Sequence, residues 1–142
     1  MIKIEYPQYQ FRFKEEEGKE FIFDEQRKQW LRLTPEEWVR QNFLQYLIHS
    51  RNYPASLIAI EKEIGLGELR KRCDIVVYKN DKPWMIIECK EMGVELTATV
   101  TEQVLRYNQS LDASYLLITN GSYTFGIDTV THEELAVIPE YV

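Results

Sequence analysis

Asp74, Glu88 and Lys90 are the residues whose types and positions could do chemistry. They sit in otherwise apolar runs, Cys73-Asp74-Ile75-Val76-Val77-Tyr78 and Trp84-Met85-Ile86-Ile87-Glu88-Cys89-Lys90. Leaving such charges buried and unpaired costs several kcal/mol each, roughly. A chain that places them there pairs them with one another or gives them a metal ion. Mg²⁺ takes oxygen ligands, keeps several waters and is commonly held by one or two carboxylates. Asp74 and Glu88 can supply the carboxylates, and the backbone carbonyl of Cys89 a third oxygen. The chemistry that fits is metal-assisted phosphodiester hydrolysis, with Lys90 orienting the attacking water and stabilising developing negative charge. The competing arrangement is a plain surface salt bridge between Lys90 and one acid.

These residues need two strands side by side. Both runs are rich in Val, Ile, Tyr and Trp, and Lys79-Asn80-Asp81-Lys82-Pro83 between them is a turn. An antiparallel hairpin centred on Asp81 sets Asp74 opposite Glu88 and Cys73 opposite Cys89. Alternation along a strand then puts Asp74, Glu88 and Lys90 on one face and both cysteines on the other. Two opposed carboxylates repel unless a cation or a shared proton lies between them.

Other elements frame this hairpin. Alternation from Tyr9 to Phe23 around Glu15-Glu16-Glu17-Gly18-Lys19 predicts an N-terminal β-hairpin, with a short extended piece from Arg27 to Leu33. Thr34 and Pro35 open a helix running to about His49, with Glu37 completing a capping box. Ser56 to Ile64 reads as a strand and Gly65-Leu66-Gly67 as a loop. A second helix starts near Thr97 or Thr99 and ends near Leu111, with Val100, Val104, Tyr107 and Leu111 as its apolar stripe. Ser114–Thr119 is a buried strand, Asn120-Gly121 a tight turn, and Ser122–Asp128 the return strand. The tail from Leu135 to Ile138 reads as an edge strand. The order predicts an α/β fold: a central mixed β-sheet flanked by helices, with an N-terminal β-hairpin. The strand–helix–strand step from Ile86 to Leu117 is a natural crossover between parallel strands.

The 142 residues fit a single domain, divided into a hairpin extension over 1–33 and a core over 34–128. The net charge of −6 argues against coating nucleic acid through bulk charge, so any DNA contact needs a local basic patch, a metal or a larger assembly. The start of the chain carries no secretory pattern, no run approaches transmembrane length, and two cysteines fit free thiols in a reducing, cytoplasmic compartment. His49 and His132 lack ligand spacing, the cysteines lack Cys-x-x-Cys spacing, and there is no phosphate-binding loop of a motor. Translocation by this chain alone is therefore not expected.

Asp74 followed by Glu88-Cys89-Lys90 resembles the Asp…Glu-x-Lys signature of the PD-(D/E)xK nuclease superfamily. A wider pattern is more specific: Thr34-Pro35-Glu36-Glu37-Trp38-Val39-Arg40-Gln41, Arg72-Cys73-Asp74, Ile87-Glu88-Cys89-Lys90, Glu102-Gln103-Val104-Leu105-Arg106-Tyr107-Asn108 and Thr119-Asn120-Gly121. Together these resemble the N-terminal nuclease domain of type I restriction enzyme R subunits and its stand-alone relatives. The resemblance implies a restriction-endonuclease-like fold acting on DNA, with Mg²⁺ (or Mn²⁺) on Asp74 and Glu88, assistance from Lys90, and restriction–modification subunits as partners. It also implies an acid from the first helix, Glu37 or else Glu36; for Glu37 the alternative is the capping role. Gln103 and Tyr107 resemble the Gln-x-x-x-Tyr motif of RecB-like nucleases and share a helix face. Arg72, Tyr107 and Arg40 are the residues it points to for nucleic acid; Arg72 is also placed to hold Asp74. A relative of this family without catalysis, serving as an interaction module, is the alternative.

Overall fold

The computed structural model describes residues 1–66 and 68–142; the side chains of Leu66, Leu69 and Tyr107 lie outside the described part. Among the described residues nine strands and two α-helices follow in order: β1 (Ile2–Lys3), β2 (Phe13–Glu16), β3 (Lys19–Asp24), β4 (Gln29–Arg32), α1 (Pro35–Gln45), β5 (Ile58–Leu66), β6 (Leu69–Lys79), β7 (Lys82–Cys89), α2 (Ala98–Asn108), β8 (Tyr115–Thr119) and β9 (Tyr123–Asp128). Six of them form a mixed sheet in the order β1-β9-β8-β7-β6-β5, and β2-β3-β4 form a second sheet. This is the expected α/β class. Only β7 and β8 run parallel among the described strands, joined through α2 as the crossover reading requires. Among the described residues no helix is long and apolar enough to cross a membrane.

The large sheet lies between the two helices. On one face Val39, Phe43, Leu44 and Leu47 pack on Ile75, Val77, Met85, Ile87 and Leu117. On the other, Leu105 and Leu111 cover Cys73, Val76, Ile86 and Leu116. Central strands buried on both faces read as continuous apolar runs, which is how β7 and β8 are written. The Thr34 hydroxyl accepts from the Glu37 amide at 3.1 Å, and Pro35 occupies the first turn, where its missing N–H costs nothing. A π-helical turn over Tyr46–Ser50 extends α1 before Asn52 turns the chain away. Thr97, not Thr99, caps α2; Thr101 and Asn108 of that helix are buried and Leu105 is half-buried, and the expected helix end near Leu111 falls at Asn108, with Leu111 buried just beyond it.

Several expectations need correction. β5 continues through Gly65 and Leu66, which pair with Arg70 and Leu69, so the expected loop is shorter; its Gly67 lies outside the described residues. The tail is not an edge strand. It makes one bridge, Ile127 with Glu134, and lays Ile138 into the core, while the edge is taken by Ile2–Lys3 paired with β9. Residues outside 34–128 therefore complete the core. The N-terminal hairpin is as expected, turning at Glu17-Gly18, both at positive φ, and β4 makes it a three-stranded sheet.

The β6–β7 hairpin keeps the expected register where it matters: Ile75 faces Ile87, Val76 faces Ile86 and Val77 faces Met85. Near the turn the pairing slips by one residue between Val77 and Tyr78, because the loop is the two-residue Asn80-Asp81, both at positive φ. The cysteines do not share a face. Cys89 joins the α1-side core and Cys73 the α2-side cluster. The alternation breaks at Asp74: β5 pairs Ile60 with Ile75 and Lys62 with Cys73, but Glu61 between them has φ of +50° and leaves the ladder opposite Asp74.

Candidate acid site at the end of the central strands

Asp74 is fixed at both oxygens. The Cys89 amide donates to Oδ2 at 2.7 Å and Arg40 Nη2 donates to Oδ1 at 3.1 Å. Glu88 lies beside it on the neighbouring strand. Burial, the Asp74 charge and contact with Asp74 push the Glu88 carboxyl up to about 7. Lys71 Nζ stands 3.5 Å from Glu88 Oε1, an ion pair too long for a good hydrogen bond, and donates to Asn108 Oδ1 of α2. Glu88 Oε1 is thus a buried oxygen without a hydrogen bond. The two carboxylates are neighbours, but they do not turn to one face as the alternation predicts: Asp74 turns to α1 through Arg40, Glu88 to α2 through Lys71 and Asn108.

Lys90 follows Glu88 just beyond β7. Its amide donates to the Thr119 carbonyl at 2.8 Å, and its half-buried side chain makes no ion pair or hydrogen bond among the described residues. No salt bridge joins Lys90 to either acid among the described residues. Both thiols are buried and free. Burial pushes Cys73 up to about 11, and burial with the Asp74 charge raises Cys89 well above its ordinary value, so neither thiol is ionised at neutral pH.

Glu37 is buried, but its carboxylate does not reach back to the helix cap. It accepts from Arg40 Nη1 at 2.7 Å, Gln41 at 3.1 Å and Arg27 at 3.3 Å. Burial raises its proton affinity despite these partners. Glu36 is half-exposed and pairs with Arg40 at 3.3 Å. Arg40 itself is only 5 % exposed and pairs with Glu36, Glu37, Glu61 and Asp74. Its guanidinium serves carboxylates and is not presented to an incoming phosphate. Arg72 does not hold Asp74; it pairs with Glu61 at 3.3 Å and is otherwise exposed. Gln103 is exposed on α2 without a side-chain partner among the described residues; α2 reaches the acids through Asn108 instead. Tyr107 belongs to α2, but its side chain lies outside the described residues.

Sequence reasoning missed the polar network behind the site. Asp24, at the end of β3, is fully buried and receives Gln41 at 3.0 Å, the Arg27 backbone amide at 2.9 Å and the Arg27 side chain. Burial alone would raise its proton affinity; the hydrogen bonds from Arg27 overcome it and hold the carboxyl below its usual value. Arg27 also reaches Glu61 at 3.1 Å. Ion pairs therefore run from the second sheet through Arg27, Glu37 and Arg40 to Asp74. One signal was available: Asp24 falls in phase with Ile22 in Phe21-Ile22-Phe23-Asp24, on the inward face. Lys71 offered none, since it sits in a basic run that reads as solvated.

Asp74 and Glu88 offer hard oxygen donors of the kind Mg²⁺ or Mn²⁺ takes. Glu88 Oε1, held only by the long Lys71 ion pair, and the unfavourable proximity of the two acids are what such an ion would relieve. Among the described residues no group of three or more His, Cys, Asp or Glu is arranged to hold a metal, so any ion here depends on two acids and backbone oxygen.

The molecule is thus an α/β domain with paired acids at the end of its central strands. Residues 35–140 match the family described as type I restriction enzyme R protein N terminus, and the chain belongs to that family. No match was found among curated proteins or solved structures.

Proposed function

We propose that this chain is a metal-dependent DNA endonuclease domain of the PD-(D/E)xK type with a restriction-endonuclease-like fold, working with other restriction–modification subunits. The observation that carries the reading is the crowded acid pair, one of whose oxygens is buried without a hydrogen bond. Asp74, Glu88 and the Cys89 carbonyl oxygen would hold Mg²⁺ or Mn²⁺, which would supply Lewis acidity toward the phosphate and a lower pKa for a bound water. Arg40 and the Cys89 amide fix the Asp74 carboxylate in one orientation. Lys90, which has no acid partner among the described residues, donates to the attacking water or to a phosphate oxygen as negative charge develops. Glu37 acts one step back, by holding Arg40. Gln103 and Arg72 are exposed and available to the substrate strand.

A second reading is a module that keeps the fold without catalysis. It is favoured by the two cations already on the acids, Arg40 on Asp74 and Lys71 on Glu88. The deciding experiment is cleavage of supercoiled and linear DNA with Mg²⁺ or Mn²⁺ by the wild type, Asp74→Ala and Lys90→Ala. The hydrolase reading expects cleavage that both substitutions abolish. Equal activity in wild type and Asp74→Ala removes the site assignment, and no cleavage with either metal supports the second reading.

A further inference from the structure

The outer face of the second sheet is unusual. A solvated face of an antiparallel sheet is normally polar. Here Ile22 and Asp24 of β3 take the inner face, Asp24 bonded to Gln41 of α1, and this leaves Phe21 and Phe23 on the outside. Register sets Phe23 beside Trp30 of β4, and Phe21 between Lys14 of β2 and Arg32 of β4. The Phe23 amide bonds the Arg12 carbonyl, which brings Arg12 into the same row as Phe23 and Trp30. The face thus carries three aromatic rings in two cross-strand rows, interleaved with three cations.

The cations lie against the rings. The Arg12 guanidinium is 4.4 Å from the Phe23 centroid and 5.5 Å from that of Trp30. Lys14 Nζ is 4.8 Å from the Trp30 centroid, and Arg32 is 5.9 Å from that of Phe21. Phe23 and Trp30 meet edge-on at 5.2 Å, and all three rings are half-buried, in part beneath these cations. Glu16 and Glu25 pair with Lys14 and Arg12 at the rim, at 3.1 and 4.0 Å, in exposed contacts that a polyanion can replace.

We propose that this face is a stacking platform for a single-stranded polynucleotide. Charge selects the partner: three cations on one face of a chain with a net charge of −6 are complementary to a phosphate backbone. Shape selects the strand form. Aromatic rings and guanidinium planes stack on unpaired bases, whose π-faces a duplex hides. The platform lies in residues 12–32, outside the family match over 35–140, and its binding needs neither the acids nor a metal.

The test is fluorescence anisotropy in EDTA with a labelled oligodeoxythymidylate of about 20 nucleotides, an oligouridylate, a duplex of the same length, and anionic phospholipid vesicles as competitor. Either single strand is expected to bind at least about tenfold tighter than the duplex. Trp30→Ala is expected to weaken binding roughly 5- to 160-fold, the range for loss of one stacked base. Trp30→Phe should keep most of the affinity while losing a fluorescence quench. Arg12→Glu and Lys14→Glu should lower affinity and flatten its salt dependence, while Lys82→Glu, an exposed site outside the platform, should leave both unchanged. The proposal is overturned if neither strand binds at low salt, if the duplex binds equally well, if folded Trp30→Ala binds like wild type, or if vesicles displace the strand. The DNA and RNA arms identify which strand is preferred. The metal plays no part in this assay, so its failure leaves the hydrolase reading intact, and the converse holds.

Discussion

Replacing Glu88 by Gln tests the crowded acid pair quantitatively. The Glu88 carboxyl is pushed from an ordinary 4.5 to about 7 by burial and by Asp74. Each tenfold change in proton affinity is worth about 1.4 kcal/mol, so the full effect is roughly 3 kcal/mol. The side chain is only 17 % exposed, so solvent screening removes little of this. The folded pKa lies above the unfolded value. The favourable contribution is therefore fully present below about pH 4.5 and is lost as pH rises through about 7. Gln cannot ionise and escapes that loss. It also deprives buried Lys71 of a charge partner, which shifts the absolute stability of the variant but contributes little to the pH trend while Lys71 stays protonated. Urea unfolding of both proteins in EDTA, followed by tryptophan fluorescence, gives the difference at each pH. Between about pH 5 and pH 8 it should move by about 2.5 kcal/mol in favour of Gln. A change below about 0.5 kcal/mol would refute the reasoning, because it would mean that Glu88 ionises without feeling Asp74 or burial.

Arg40→Met leaves Glu37 and Asp74 without their shared cation and should cost about 3–5 kcal/mol in urea unfolding, with the loss shrinking in acid as Glu37 takes up a proton. Thr34→Ala removes the α1 cap and should cost about 1 kcal/mol, read as a fall in Tm of roughly 2–4 °C. Gly126→Val places a side chain where even a Cβ would lie 2.9 Å from Leu135 and 3.0 Å from Leu117; it should destabilise by about 1–3 kcal/mol in the same unfolding assay.

The elements were largely legible because their signals are local. Thr34-Pro35 needs only its own turn to start a helix, and the apolar runs of β7 and β8 announce burial without reference to partners. The nearness of Asp74 to Glu88 was legible because the register, seen at Ile75 facing Ile87, follows from a hairpin of known length. Side-chain destination was not. Alternation puts both cysteines on one face, but Glu61 at positive φ interrupts the neighbouring strand and shifts the phase around Asp74. No residue near Asp74 encodes that break. The same limit applies to Arg40. Its sequence neighbours make it an exposed helical cation, whereas four carboxylates from α1, β5 and β6 converge on it in the fold.

That convergence decides where this acidic chain can meet a polyanion. Arg27 and Arg40 are consumed in neutralising Asp24, Glu37, Glu61 and Asp74, and Lys71 stands against Glu88. Moving either arginine toward a phosphate would strand a buried carboxylate, at a cost of several kcal/mol, roughly. Cations free of that cost include half-buried Lys90, exposed Arg72, and the Arg12, Lys14 and Arg32 set on the second sheet. Asp24 ties the sheet carrying that set to α1 and, through Arg27, Glu37 and Arg40, to Asp74. The buried charges hold one another and the acid pair; if the chain binds a polyanion as proposed, substitutions in the buried and exposed groups should separate into effects on folding and effects on affinity.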